Sequence, residues 1–177
     1  MTSFRFFHAA DIHLDSPLRG LAGYDEAAAE QIRSATRDAF DNLVTLAIKE
    51  CVSFLIIAGD LYDGEWRDYQ TGLFFLSQMG RLNQAGIPVF SLYGNHDAES
   101  GITPRLMLPE NVKVFPERKP ETRTLEEPGV ALHGQSFPRR EVTESLVHEY
   151  PEPVPGLFNI GVLHTALGGL GGHANYA

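Results

Sequence analysis

Three apolar runs that stop abruptly at acidic, amide or imidazole residues constrain this chain more than anything else in it. Phe6-Phe7-His8-Ala9-Ala10 meets Asp11-Ile12-His13, and Phe54-Leu55-Ile56-Ile57-Ala58 meets Gly59-Asp60-Leu61-Tyr62-Asp63. Ile87-Pro88-Val89-Phe90-Ser91-Leu92 meets Tyr93-Gly94-Asn95-His96-Asp97. Short, almost wholly apolar runs are what a parallel sheet buried on both faces requires. Open α/β sheets bind their ligands in the crevice at the carboxyl ends of such strands. The three polar segments are therefore expected to converge on one site.

The intervening residues supply the crossovers. Between about Asp25 and Glu50, Ile32, Ala35, Ala39, Leu43, Leu46 and Ala47 recur at near-helical spacing. After Asp63, Asp68 is placed to cap a helix with the apolar stripe Leu73, Leu76, Met79 and Leu82, and Gly86 follows its end. Strand, helix, strand, helix, strand in this order predicts parallel strands joined by right-handed crossovers. From Asp97 to Pro109 periodicity fails, and Gly101, Pro104 and Pro109 mark a loop. The second half reads differently: Val112–Phe115, Val130–Gly134 and Asn159–His164 are short strand-like runs between Pro-rich, charged segments, expected to form a second sheet. Pro116 to Pro128 is polar and of mixed sign, which predicts a solvated hairpin or loop.

With 177 residues the chain reads as a single domain, 1–177, able to bury one substantial core. Its formal charge of −9 gives no general attraction for nucleic acid, so any polyanion must be held locally, by bound cations for example. One cysteine, Cys51, forms no internal disulfide, and no secretory leader follows Met1, which together point to the cytoplasm. No apolar stretch approaches the ~20 residues of a membrane helix, so no membrane partner is expected.

The chemistry follows from the residue types. Asp11 and His13 are two apart, and on an extended segment they would share a face and one ion. Asp60 follows an apolar run where an unpaired carboxylate is costly, so it needs a cation or donors; a turn-capping role is the plainer alternative. Asn95 closes a buried strand, where an amide is out of place unless used. His164 repeats the strand-then-ligand pattern after Val162-Leu163. Hard oxygens mixed with imidazole suit Mn²⁺, Fe²⁺ or Zn²⁺, and the set predicts a two-metal hydrolase. Asp63 reads mainly as a cap of the next turn. His173, within Gly168-Gly169-Leu170-Gly171-Gly172, is either close to the site or simply exposed.

Asp11-x-His13, Gly59-Asp60-Leu61-Tyr62-Asp63, Gly94-Asn95-His96-Asp97 and His164 stand in the order and approximate spacing of the calcineurin-like metallophosphoesterases, which this chain resembles over nearly its whole length. His8-Ala9-Ala10-Asp11-Ile12-His13-Leu14 and Leu163-His164-Thr165 are most similar to the SbcD type of DNA repair exonuclease, in particular its YhaO-like branch. The resemblance implies an α/β fold of four layers, with two central mixed β-sheets flanked by helices. It also implies a dinuclear Mn²⁺ centre, DNA ends as substrate and a coiled-coil ATPase partner resembling SbcC, with a homodimer as a further expectation. Asp11 and His13 would bind the first metal, Asp60 would bridge both, and Asn95 and His164 would bind the second. His96 would act on the substrate. The resemblance also implies a closing Gly-His-x-His, which these 177 residues lack; a truncated catalytic domain with incomplete metal shells is expected, and nothing in the glycine-rich setting of His173 requires it to replace a missing imidazole. A hydroxide shared by two cations, attacking a phosphodiester in line, is the mechanism that follows. A small-substrate phosphoesterase and a non-catalytic scaffold of an ATPase complex are the alternatives.

Overall fold

A computed structural model describes residues 3–16, 26–63, 69–99 and 107–166. The apolar runs form strands and the periodic segments form helices, giving β1 (Phe6–Ala9), α1 (Glu26–Lys49), β2 (Phe54–Ala58), α2 (Tyr69–Gln84) and β3 (Val89–Leu92). Four further strands follow: β4 (Val112–Val114), β5 (Glu121–Leu125), β6 (Val130–Gly134) and β7 (Phe158–Val162). The first sheet has the order β1-β2-β3-β4, with every pair parallel. The second has the order β5-β6-β7, with β5 antiparallel and β7 parallel to β6. This is the two-sheet α/β architecture expected.

Side chains alternate across the pleat, so β2 and β3 feed two cores. Leu55, Ile57 and Val89 face the helices, where they pack with Phe40, Val44 and Ala47 of α1 and Phe75, Met79 and Leu82 of α2. Phe54, Ile56, Ala58, Phe90 and Leu92 face the second sheet and meet Val130, Leu132 and Val162. Gly134 is needed where the sheets approach, because a Cβ there would stand 2.7 Å from the Phe115 ring. Past the end of α2, Gly86 takes φ +71° and Ile87 N–H donates to Leu82 O at 2.9 Å, the closing bond of a glycine-terminated helix.

Three expectations are corrected. β1 is an edge strand whose residues are exposed or half-buried, with Phe6 36% exposed, because no described strand flanks its outer side. Val112–Val114 joins the first sheet beside β3, not the second. The charged segment after Pro116 takes the hairpin alternative, its strand β5 pairing antiparallel with β6. Both helical stripes hold only in part: Ala47, Met79 and Leu82 are buried as expected, but Leu46 and Leu73 are exposed, and Phe40, Val44 and Phe75, left out of the stripes, are buried. Aromatic bulk decides the phase, since Phe40 and Phe75 stack at 6.0 Å between the two helices. Asp68, expected to cap α2, lies outside the described residues.

The helix phase is directly testable by chemical denaturation. Phe75→Ala should cost about 3–5 kcal/mol, whereas Leu73→Ala should cost below about 1 kcal/mol. The reverse ranking would restore the stripe read from sequence.

Candidate metal centre

Parallel pairing brings the carboxyl ends of β1, β2 and β3 to one end of the first sheet, and parallel pairing of β6 with β7 delivers His164 to the same place. The loop after β1 continues to pair with the loop after β2: Asp11 N–H donates to Gly59 O, His13 N–H to Asp60 O and Leu14 N–H to Leu61 O, at 2.9–3.1 Å. Leu14, fully buried, anchors that loop in the helix-side core.

Asp11, His13 and Asp60 all have positive φ, near +50°, which turns their side chains out of the strand alternation. The premise that Asp11 and His13 share a face of an extended segment therefore fails. Asp11 joins Asp60 and His164, and His13 joins Asp63 and His96; within each group the donor atoms lie within 4.8 Å of one another. His13 Nε2 stays 3.9 Å from Asp60 Oδ2, so the two groups adjoin through Asp60.

Asp60 is 3% exposed, and its Oδ1 accepts the His96 backbone N–H at 3.0 Å. Its Oδ2 lies 3.5 Å from His164 Nε2. Burial alone would raise its pKa; the His164 interaction and the His96 N–H outweigh that and hold the carboxyl below its usual range. His164 shows the converse: burial lowers its pKa, but Asp60 together with Ala58 O raises it overall.

The protonation of His164 tests whether this donor set fits a cation. Nδ1 faces Ala58 O at 3.0 Å, and a carbonyl only accepts, so Nδ1 must carry a proton. Nε2 then faces Asn95 Oδ1 at 3.0 Å as well as Asp60 Oδ2. With the Asn95 amide oxygen turned toward it, a neutral imidazole would set a lone pair against two acceptors, a clash that a proton or a cation at Nε2 relieves. Asn95, 7% exposed, completes the same convergence. Two carboxylates, an imidazole and an amide oxygen are a hard donor set suited to Mn²⁺, Fe²⁺ or Zn²⁺. The residues present fit a divalent ion.

His96 is held by its partners. Nδ1 lies 3.0 Å from Asp63 Oδ1, and its ring meets His13 edge to face at 5.0 Å. Asp63 is engaged by Ser16 Oγ–H at 2.6 Å as well as by His96; the turn it is expected to cap lies outside the described residues. Burial would raise the Asp63 pKa, but Ser16, His96 and His13 lower it overall.

Asp97 is a residue to which the sequence pattern alone assigns no role. Only 3% exposed, it accepts N–H bonds from Leu61, Tyr62 and Gly94 at 2.9–3.2 Å, tying the loop after β2 to the turn after β3. Burial pushes its carboxyl up to about 6 despite those three donors. Its sequence signal is faint: an acid in a polar turn, opposite apolar Leu61 and Tyr62 whose amides need acceptors. Glycines make room for the arrangement. Gly59, at φ +90°, passes so close to His164 that an added Cβ would lie 2.6 Å from Nδ1, and at Gly94 a Cβ would lie 2.7 Å from Asp60 N. His173 lies outside the described residues.

Known proteins are similar to this chain over much of its length. The family model described as calcineurin-like phosphoesterase matches residues 4–168. The metallophosphoesterase YhaO of Bacillus subtilis is 34% identical over 99% of this chain and 44% of its own length. The DNA double-strand break repair protein Mre11 of Methanopyrus kandleri is 27% identical over 93% of this chain and 38% of its own. Mre11 of Haloferax volcanii is 32% identical over 55% and 20%, respectively. The chain thus spans less than half the length of these relatives.

The crowding at the strand ends is testable in two ways. If a cation replaces the His164 proton, Mn²⁺ binding should release protons and strengthen as pH rises through the raised His164 pKa, by up to about tenfold per pH unit for one proton. Titration calorimetry in buffers of different ionisation enthalpy measures this; pH-independent affinity with no proton release would refute it. Gly59→Ala, strained at positive φ and thrust against His164, should lose about 1–3 kcal/mol of stability and weaken Mn²⁺ binding. Unaltered melting and metal affinity would show that the close approach is not required.

Proposed function

We propose that this chain, which belongs to the calcineurin-like phosphoesterase family, is the catalytic part of a divalent-metal phosphodiesterase acting on DNA ends. The observation that carries the reading is the pair His96–Asp63, which with His13 forms one donor group adjoining a second, Asp11, Asp60 and His164. Asp11, Asp60 and His164, with Asn95, would hold one cation, and His13 with the shared Asp60 edge would hold another. Bound divalent ions supply charge neutralisation for a phosphodiester and lower the pKa of water; Mn²⁺ is the ion proposed.

The protein's own residues then have distinct tasks. Asp63 orients His96 by accepting from Nδ1–H, which leaves Nε2 directed away from that contact. The imidazole is partly accessible to solvent, so a leaving oxygen can reach it and take a proton from it. Asp97 and the His96 N–H to Asp60 bond keep the acid and the donor groups in register, since both run through the same turn.

The choice of DNA ends over small esters is supported by the likeness to the DNA double-strand break repair protein Mre11 and by the motifs that resemble the SbcD type. A coiled-coil ATPase partner resembling SbcC, a homodimer and a cytoplasmic setting belong to the same proposal. No described helix is long and apolar enough to cross a membrane.

The test is digestion of end-labelled DNA and of a chromogenic phosphodiester in Mn²⁺, with metal content measured alongside. His96→Ala should lower turnover about 10²–10⁴-fold while the metal stays bound. Loss of metal with activity would make His96 a ligand instead of an acid. Cleavage of mononucleotide esters with indifference to DNA would make the chain a small-substrate phosphoesterase.

A further inference from the structure

An acidic protein that acts on a polyanion needs a local exception to its charge, and the described residues contain one. β4 runs parallel to β3, so the chain leaving it emerges at the same end as Asn95 and His96. That segment, beginning with fully buried Phe115, runs through exposed Glu117, Arg118 and Lys119 before β5 starts opposite Gly134. β6 also ends there and continues as Gln135-Ser136-Phe137, then exposed Pro138, Arg139, Arg140 and Glu141.

The two exits are fastened together and to the metal centre. Ser136 N–H donates to Pro116 O at 3.0 Å and Gln135 Nε2 to Glu117 O at 2.9 Å. Phe137 N–H donates to Tyr93 O at 2.9 Å, one residue before Gly94, and the Phe137 ring packs edge to face on His164 at 5.5 Å. Arg139 follows Phe137 by two residues, so its Cα is within about 7 Å of a residue that touches the centre. Buried Phe137 and Val142 clamp the Arg139–Arg140 segment at both ends. Arg139 is braced further by its Nε–H bond to Glu141 O at 2.8 Å. Four cations against Glu117 and Glu141 therefore line one rim of the strand-end crevice, on a chain whose formal charge is −9.

We propose that Arg118, Lys119, Arg139 and Arg140 form a rim that grips the phosphate backbone of a polynucleotide strand beside the bond to be cleaved. This rests on the phosphodiesterase reading for its purpose. Its chemistry is independent: guanidinium and ammonium groups displace condensed counterions and need no base contacts. The rim makes substrate length matter, because a mononucleotide ester occupying the centre has no further phosphates to offer it.

The experiment is fluorescence anisotropy of a labelled single-stranded oligothymidylate in metal-free buffer over a series of salt concentrations. It requires no turnover, so failure of the rim and failure of the hydrolase reading are distinguishable. The quadruple variant Arg118→Gln/Lys119→Gln/Arg139→Gln/Arg140→Gln should bind at least about tenfold more weakly at low salt. Its log–log salt slope should flatten by about 0.7 for each phosphate that the rim no longer neutralises. Two variants with equal charge change separate position from net charge: Arg118→Gln/Lys119→Gln at the rim, and Arg5→Gln/Lys49→Gln at the opposite end of the sheet. The rim pair should weaken binding and the distal pair should not, with thermal melts confirming that all fold. Equal weakening by both pairs, wild-type binding by the quadruple variant, or no binding by the wild type overturns the proposal.

Discussion

The arrangement depends on one buried charge. Asp60 is almost wholly removed from water, lies beside Asp11, and has a second buried carboxylate, Asp97, behind it across the same turn. Taking a carboxylate out of water costs several kcal/mol unless opposite charge and donors compensate. Asp97 meets the cost by accepting three N–H bonds and by its raised pKa. Asp60 has one N–H donor and otherwise faces His164 and His13, so its compensation must come from protons on imidazole or from a cation. The site is built around a demand for positive charge.

Meeting that demand shapes the backbone around it. Asp11, His13 and Asp60 adopt the left-handed conformation that non-glycine residues avoid at a cost of order 1–2 kcal/mol each. The strain is held by loop-to-loop hydrogen bonds between the ends of β1 and β2 and by the buried anchor Leu14. Close approach at Gly59 and Gly94 lets His164, carried by the second sheet, reach the carboxylates of the first. A centre assembled from both sheets also explains why the inter-sheet core is tightly filled: slippage of one sheet would move His164 relative to Asp60.

Much of this is legible in the sequence, because apolar runs ending in Asp, His or Asn carry both the strand and the site. The two-sheet α/β fold, both helices, and the convergence of Asp11, His13, Asp60, Asn95, His96 and His164 on one end are readable that way. The division of those residues into groups is not, since it depends on positive φ at Asp11 and His13, which no side-chain pattern announces. Nor is the helix phase, where counting aliphatics favours Leu73 and Leu46 over the bulkier Phe75 and Phe40. Asp63 is hidden by its loop: three residues beyond Asp60, it reaches His96 only because the turn folds back. β4 reads as part of the wrong sheet because chain order says nothing about which edge a strand joins.

The most direct test of the central claim is the Mn²⁺ content of the wild type and of Asp60→Asn after equilibrium dialysis, measured by elemental analysis with folding checked by circular dichroism. If Asp60 is the shared edge of two adjoining donor groups, the wild type binds Mn²⁺ and the folded variant loses it from both groups together. A folded Asp60→Asn protein that keeps its full complement of tightly bound Mn²⁺ would contradict the account.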